Sequence, residues 1–188
     1  MALYVLSKSD AQDLLQNHKE VAWCLSINDV GASPPRSLRR AFASYVMEFT
    51  DFDDTDVAIG DGDPDRIVPI DERMLRNVIH FLHGVEDVSD DRIGIIHCYA
   101  GMSRSPAMAT VYGALKAQGT PAERAEAAMA TMRAAVGGTR WQWLKPNLRV
   151  IRLADDLLGL DGALLAAVKQ HHTETDARVK NGRLITFT

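Results

Sequence analysis

Cys98 and Arg104, with five residues between them, carry the sharpest chemistry in this sequence, in the stretch "HCYAGMSRSPAM". A thiolate is a strong nucleophile, and a guanidinium offers two parallel N–H donors to a tetrahedral oxyanion. Between them, Tyr99, Ala100, Gly101, Met102 and Ser103 form a turn, and Ser105-Pro106 opens a helix by composition. Successive backbone N–H groups in such a turn converge on one point, and the N-terminus of the next helix adds partial positive charge. Gly101 supplies backbone freedom in mid-loop. The same field favours the thiolate of Cys98 over its thiol. Together these groups can attack phosphorus and stabilise charge on its equatorial oxygens. Each residue alone has a plainer reading: a buried inert cysteine, a surface arginine, a serine N-cap. Their joint placement is what points to catalysis.

The elements around the motif must position it. "RIGIIH" (92–97) is a short apolar run suited to a buried strand, and "PAMATVYGALKAQG" follows as a helix with Pro106 in its first turn. Upstream, "LYVL" (3–6), "VAWCLSI" (21–27) and "ASYVMEF" (43–49) read as strands, with a short helix from Ser9 to His18 capped by Ser9 or Asp10. The spacing of Leu75, Val78, Ile79 and Leu82 predicts an amphipathic helix beginning near Pro69 to Asp71. Downstream, "PAERAEAAMATMRAAVGG" is a helix from Pro121 to the glycine pair. "PNLRVIRLADDLLG" leads into a last helix reaching about His171. The expected fold is α/β, a central, mostly parallel sheet flanked by helices. Residues 1–172 form one domain in this reading, and 173–188 a peripheral C-terminal segment.

The chain has 188 residues and a formal net charge of -4, which gives no support for nonspecific binding to nucleic acid or anionic membrane. No apolar run is long enough to span a bilayer, and the first residues do not have the pattern of a signal peptide. Two cysteines, Cys24 and Cys98, are too few for a disulfide framework. A reducing cytoplasm is the expected location. Cys24 reads as a core strand residue that could in principle pair with Cys98. His171-His172 with Glu174 reads as a solvated helix end, with metal binding the lesser alternative. Trp141, Trp143 and Pro146 either pack the core or line the site rim.

"HCYAGMSRS" resembles the His-Cys-five residues-Arg-Ser/Thr signature of cysteine-dependent protein tyrosine and dual-specificity phosphatases. "YVMEFTDF", "DERMLRNVIHFLHG" and "WLKPNLRVIRLADDLLGLDG" extend the resemblance over roughly residues 20–165, to a compact bacterial branch with a protein tyrosine phosphatase-like fold. It implies that Cys98 attacks phosphorus and forms a phosphocysteine intermediate. Arg104 and the backbone of residues 98–104 hold the phosphoryl oxygens, Ser105 helps the thiolate depart, and His97 orients the loop through hydrogen bonds. It implies no metal or other cofactor. The expected substrate is a phosphorylated protein or a small aryl phosphomonoester, with phosphate, sulfate or vanadate as anion ligands. The loop interior "YAGMS" lacks Lys, Arg and His, which disfavours polyphosphorylated lipids.

The family also uses an aspartic acid, which protonates the leaving oxygen and then activates water. The loop "TDFDDTDVAIGDGDPDRIVP" holds seven aspartates in 20 residues. Asp51, directly after "MEF", is the first choice, with Asp53, Asp54, Asp63 and Asp65 as alternatives. Three other functions compete: a noncatalytic phosphoresidue-binding module, a sulfurtransferase or arsenate reductase built on the same oxyanion loop, and a purely structural domain.

Overall fold

The structure is a computed structural model and describes residues 2–18, 20–51, 67–85 and 92–180. Among these residues four strands form one sheet: β1 (Ala2–Ser7), β2 (Val21–Asn28), β3 (Ala43–Glu48) and β4 (Ile93–Cys98). Their order is β1-β4-β2-β3, and every neighbouring pair is parallel. The last strand therefore inserts between the first two. All of its residues are buried, which explains why its sequence is continuously apolar rather than alternating. Its carboxyl end carries Cys98 to the middle of the sheet edge where open α/β folds place their ligands.

Helices cover both faces. On one, α1 (Lys8–Asn17) and a 3-10 turn (Arg36–Arg40) bury Ala11, Leu15, Cys24, Leu38 and Ile95. On the other lie α2 (Glu72–Gly84), α3 (Arg104–Lys116), α4 (Pro121–Val136), α5 (Leu148–Leu158) and α6 (Ala163–Lys180). They enclose the larger core, which includes Trp23, Leu25, Ile96 and Met108.

Local chemistry explains the boundaries. The cap of α1 is Ser7, which accepts from the Asp10 N–H, earlier in the chain than the expected Ser9 or Asp10. Asp71 caps α2 by accepting from the Met74 N–H, and Leu75, Val78 and Leu82 form its buried stripe. Thr120 and Glu123 close a reciprocal capping box at the start of α4. The central helix α3 is buried from Arg104 to Ala114, so its charged end must find partners inside the protein.

The last helix runs past His171, where the sequence pattern placed its end. Helix α5 stops at Leu158, and α6 continues to Lys180. The Asp155 carboxylate accepts from the N–H groups of Gly162 and Leu165 and ties the two helices together. Polar residues beyond His171 have partners, which is why the helix persists. Thr175 Oγ1 and Arg178 Nη1 both donate to the Gln142 carbonyl, and Asp176 pairs with Lys145. Residues 173–180 thus pack on the domain, while 181–188 lie outside the described residues. No described helix is long and apolar enough to cross a membrane.

Candidate active site

Strand β4 ends at Cys98 and α3 begins at Arg104, so the five residues between them must turn in the tight space beside β1. Gly101 makes that turn possible. Its φ is +72°, and a Cβ there would stand 2.8 Å from the backbone carbon of Leu6 and the nitrogen of Ser7. Both the left-handed backbone and the close approach require glycine. The Gly101 N–H donates to the Cys98 sulfur at 3.2 Å, and the Ser105 hydroxyl lies 3.2 Å from the same sulfur. The sulfur thus has a backbone N–H and a hydroxyl at hydrogen-bond distance.

The start of α3 lacks a side-chain cap. Ser103, at the cap position, donates its hydroxyl to Asp51 Oδ1 at 2.7 Å instead. A buried helix N-terminus with its first-turn N–H groups uncapped is a ready anion receptor. Arg104, only 3% exposed, lies at the same end. Its Nη1 donates to the Phe49 carbonyl at 3.0 Å and pairs with Asp29 Oδ1 at 2.7 Å. Its Nε stands 3.4 Å from Asp51 Oδ2. The guanidinium also lies over the Phe49 ring, 5.8 Å from its centroid. Carbonyl, carboxylates and ring fix the plane of the fork, which a bidentate oxyanion contact needs.

The carbonyls of the loop are held from outside. The Lys8 N–H donates to the Tyr99 carbonyl, the Lys145 N–H to that of Met102, and the Asn147 N–H to that of Ser103. Arg140 Nη2 donates to the Ala100 carbonyl. The segment that supplies Lys145 and Asn147 is itself gripped by α6. His171 Nε2–H donates to the Leu144 carbonyl and His172 Nε2–H to the Pro146 carbonyl, each at 3.0 Å. The two histidines therefore hold a support of the site, and the described residues contain no group of three metal-ligating side chains. Trp141 belongs to the same support, with Arg133 over its ring and His171 stacked on it.

The structure thus brings together Cys98, Gly101, Ser103, Arg104, Ser105 and Asp51. Tyr99 and Met102 turn outward, 70% and 42% exposed. His97 is fully buried and makes no hydrogen bond of good geometry from either ring nitrogen among the described residues, the Cys98 backbone being the one hydrogen-bonding group that acts on the ring. Burial pushes its imidazole down to about 4, with the Cys98 backbone opposing and the Lys8 charge adding to the shift. The described supports of the loop come from other residues: Lys8, Lys145 and Asn147 through their N–H groups, and Arg140 through its side chain. Asp53, Asp54, Asp63 and Asp65 lie outside the described residues.

Cys24 cannot serve Cys98, either as a disulfide partner or as a resolving thiol. The two belong to the cores on opposite faces of the sheet. Cys24 is in register with Ile95, three residues before Cys98, which is roughly 10 Å along a strand. That exceeds disulfide reach. Burial also pushes the Cys24 thiol up to about 12.

Two residues that hold the site escaped the sequence reading. Asp29 and Asn147 are 69 and 49 positions away from Cys98, and neither belongs to a recognisable spacing. The Pro-Asn pair ahead of an amphipathic helix is the one available signal for Asn147, as an N-cap.

No protein-family model matches the chain, and no curated protein matches it in sequence. Among solved structures, it is similar to the Yvh1 phosphatase domain from Chaetomium thermophilum. The TM-score is 0.46 and the identity 16%, over 84% of this chain and 89% of that one.

Proposed function

We propose that the protein is a cysteine-dependent phosphomonoester hydrolase of the tyrosine or dual-specificity type, acting through a phosphocysteine intermediate. The observation that carries this reading is the convergence on one point of the Cys98 sulfur, the Gly101 N–H, the Ser105 hydroxyl and the uncapped start of α3 bearing Arg104.

In the first step the Cys98 thiolate attacks phosphorus and the bond to the leaving oxygen breaks. The loop N–H groups and Arg104 stabilise the three equatorial oxygens. The leaving oxygen takes a proton from Asp51, whose Oδ2 is the oxygen turned to Arg104 while Oδ1 accepts from Ser103 and Asn147. In the second step Asp51 accepts a proton from water as that water attacks phosphorus. The sulfur–phosphorus bond breaks, with the Ser105 hydroxyl hydrogen-bonding the departing thiolate. Phosphate leaves and the thiolate is restored. The exposed Tyr99 and Met102 beside the loop suit a substrate with an aromatic group next to its phosphate, such as phosphotyrosine or an aryl phosphate.

Cys98→Ser tests the proposal. It should abolish hydrolysis of p-nitrophenyl phosphate while inorganic phosphate still binds, as read by titration calorimetry. Normal turnover by this variant would eliminate the covalent mechanism.

A further inference from the structure

We infer that Asn147 is a positioning residue of this site, fixing the Asp51 carboxyl and the Ser103 end of the oxyanion loop relative to each other. Asn147 is 1% exposed and uses backbone and side chain for different tasks. Its N–H donates to the Ser103 carbonyl at 3.2 Å. Its Nδ2 donates to Asp51 Oδ1 at 3.1 Å. Its Oδ1 accepts from the Val150 N–H at 3.0 Å and caps α5.

The cap explains the oxygen but not the nitrogen. Serine, threonine or aspartate would cap a helix as well as asparagine. None of them would present an obligatory donor to Asp51. Because a side-chain amide carries both an acceptor and donors, asparagine is the short side chain able to serve the helix and the carboxylate together. The Ser103 hydroxyl meets the same Asp51 oxygen at 2.7 Å, so the carboxyl is clamped at Oδ1 from two sides. That leaves Oδ2 beside Arg104 Nε. The result is a closed chain of contacts: Asn147 to Ser103 by backbone, Ser103 to Asp51 by hydroxyl, Asp51 back to Asn147 by amide. Asp51 is further faced by Arg104 from α3, with Asp29 after β2 on the other side of that guanidinium.

The kinetic consequences rest on the function proposed above. Two variants keep the cap and remove the donor: Asn147→Ser and Asn147→Asp. Asn147→Ser should keep the wild-type melting temperature to within a few degrees, and Asn147→Asp should do so only at acidic pH, losing stability as pH rises and its buried carboxyl pair gives up the shared proton. Both should lose kcat/KM on p-nitrophenyl phosphate, toward the roughly 100-fold that a small misplacement of a reacting group costs. In Asn147→Asp a second carboxyl meets Asp51. Two carboxyls in contact share a proton, which raises the apparent value at which the last proton leaves the pair. The descending limb of its kcat/KM profile should therefore move to higher pH than that of Asn147→Ser.

A readout that needs no turnover accompanies the kinetics: the rate of Cys98 alkylation by iodoacetamide, with Cys24 spared because burial pushes its thiol up to about 12. Both variants should change that rate severalfold, because Asp51 loses one of the two donors that fix it against the Ser103 end of the loop. Wild-type hydrolysis together with wild-type kcat/KM and alkylation in both variants would reduce Asn147 to a helix cap and overturn the inference. A wild-type protein without hydrolysis would overturn the proposed function instead, and the alkylation rates would still decide the role of Asn147.

Discussion

Gly101→Ala is the most informative single substitution, because one methyl group tests both the loop geometry and its consequence for the thiol. The new Cβ would sit 2.8 Å from backbone atoms of Leu6 and Ser7, and the backbone would have to hold a φ of +72°. A left-handed conformation costs an L-residue about 1–2 kcal/mol. Forcing an extra carbon into a packed site costs roughly 1–3 kcal/mol, and here the obstacle is strand backbone, which cannot swing aside. The expected destabilisation is then about 2–5 kcal/mol, measured by urea unfolding. Relief requires the loop to move away from β1, which breaks the Gly101 N–H contact to the Cys98 sulfur. Turnover of p-nitrophenyl phosphate should fall on the order of 100-fold. Gly138→Ala is the matched control. Its φ is +51° but a Cβ there meets nothing within 4 Å, so it should cost only the backbone share, about 1–2 kcal/mol, with turnover unchanged. Equal destabilisation by the two variants, with turnover retained in Gly101→Ala, would refute the account of the loop.

Two further outcomes follow from residues around the site. The buried His97 is held at about 4 against an ordinary 6.5, so the unfolded chain takes up a proton first as pH falls. Its stabilising contribution is complete above pH 6.5 and is lost as pH falls toward 4, by roughly 3 kcal/mol in all. Urea unfolding at pH 7 and pH 4.5 measures the loss, and His97→Gln should flatten it; an unchanged slope would assign the loss elsewhere. A chain ended after His172 would lose the Thr175 and Arg178 hydrogen bonds to the Gln142 carbonyl, worth roughly 1 kcal/mol each. The half-exposed Asp176–Lys145 pair adds little. A melting temperature equal to that of the full chain would show that the end of α6 is dispensable.

The core of the site was legible because it is local. Strand, turn and helix follow one another between Ile93 and Lys116, and Cys98, Arg104 and Ser105 take their places from that succession alone. The strands and the stripe of α2 were legible through their periodicity. What was not legible depends on contacts across the fold. His171 and His172 look like a solvated helix end until the carbonyls of Leu144 and Pro146 are seen above them. Helix α6 looks finished at His171 because its later residues are polar, yet Thr175 is buried against the 140s turn. The separation of Cys24 from Cys98 follows from the two-residue alternation of strands and from strand order. Sequence supplies the first and not the second. Asp29 and Asn147 are ordinary residues whose roles exist only where β2 and α5 approach Arg104 and Asp51.

The covalent step requires a phosphoryl group on Cys98 during turnover. Wild-type protein mixed with p-nitrophenyl phosphate and quenched in acid during turnover can be digested and its Cys98 peptide examined by mass spectrometry. That cysteine should carry a phosphoryl group, absent from Cys98→Ser and from protein quenched before substrate is added. Steady turnover with an unmodified Cys98 peptide, under conditions that preserve a reference phosphocysteine, would contradict it.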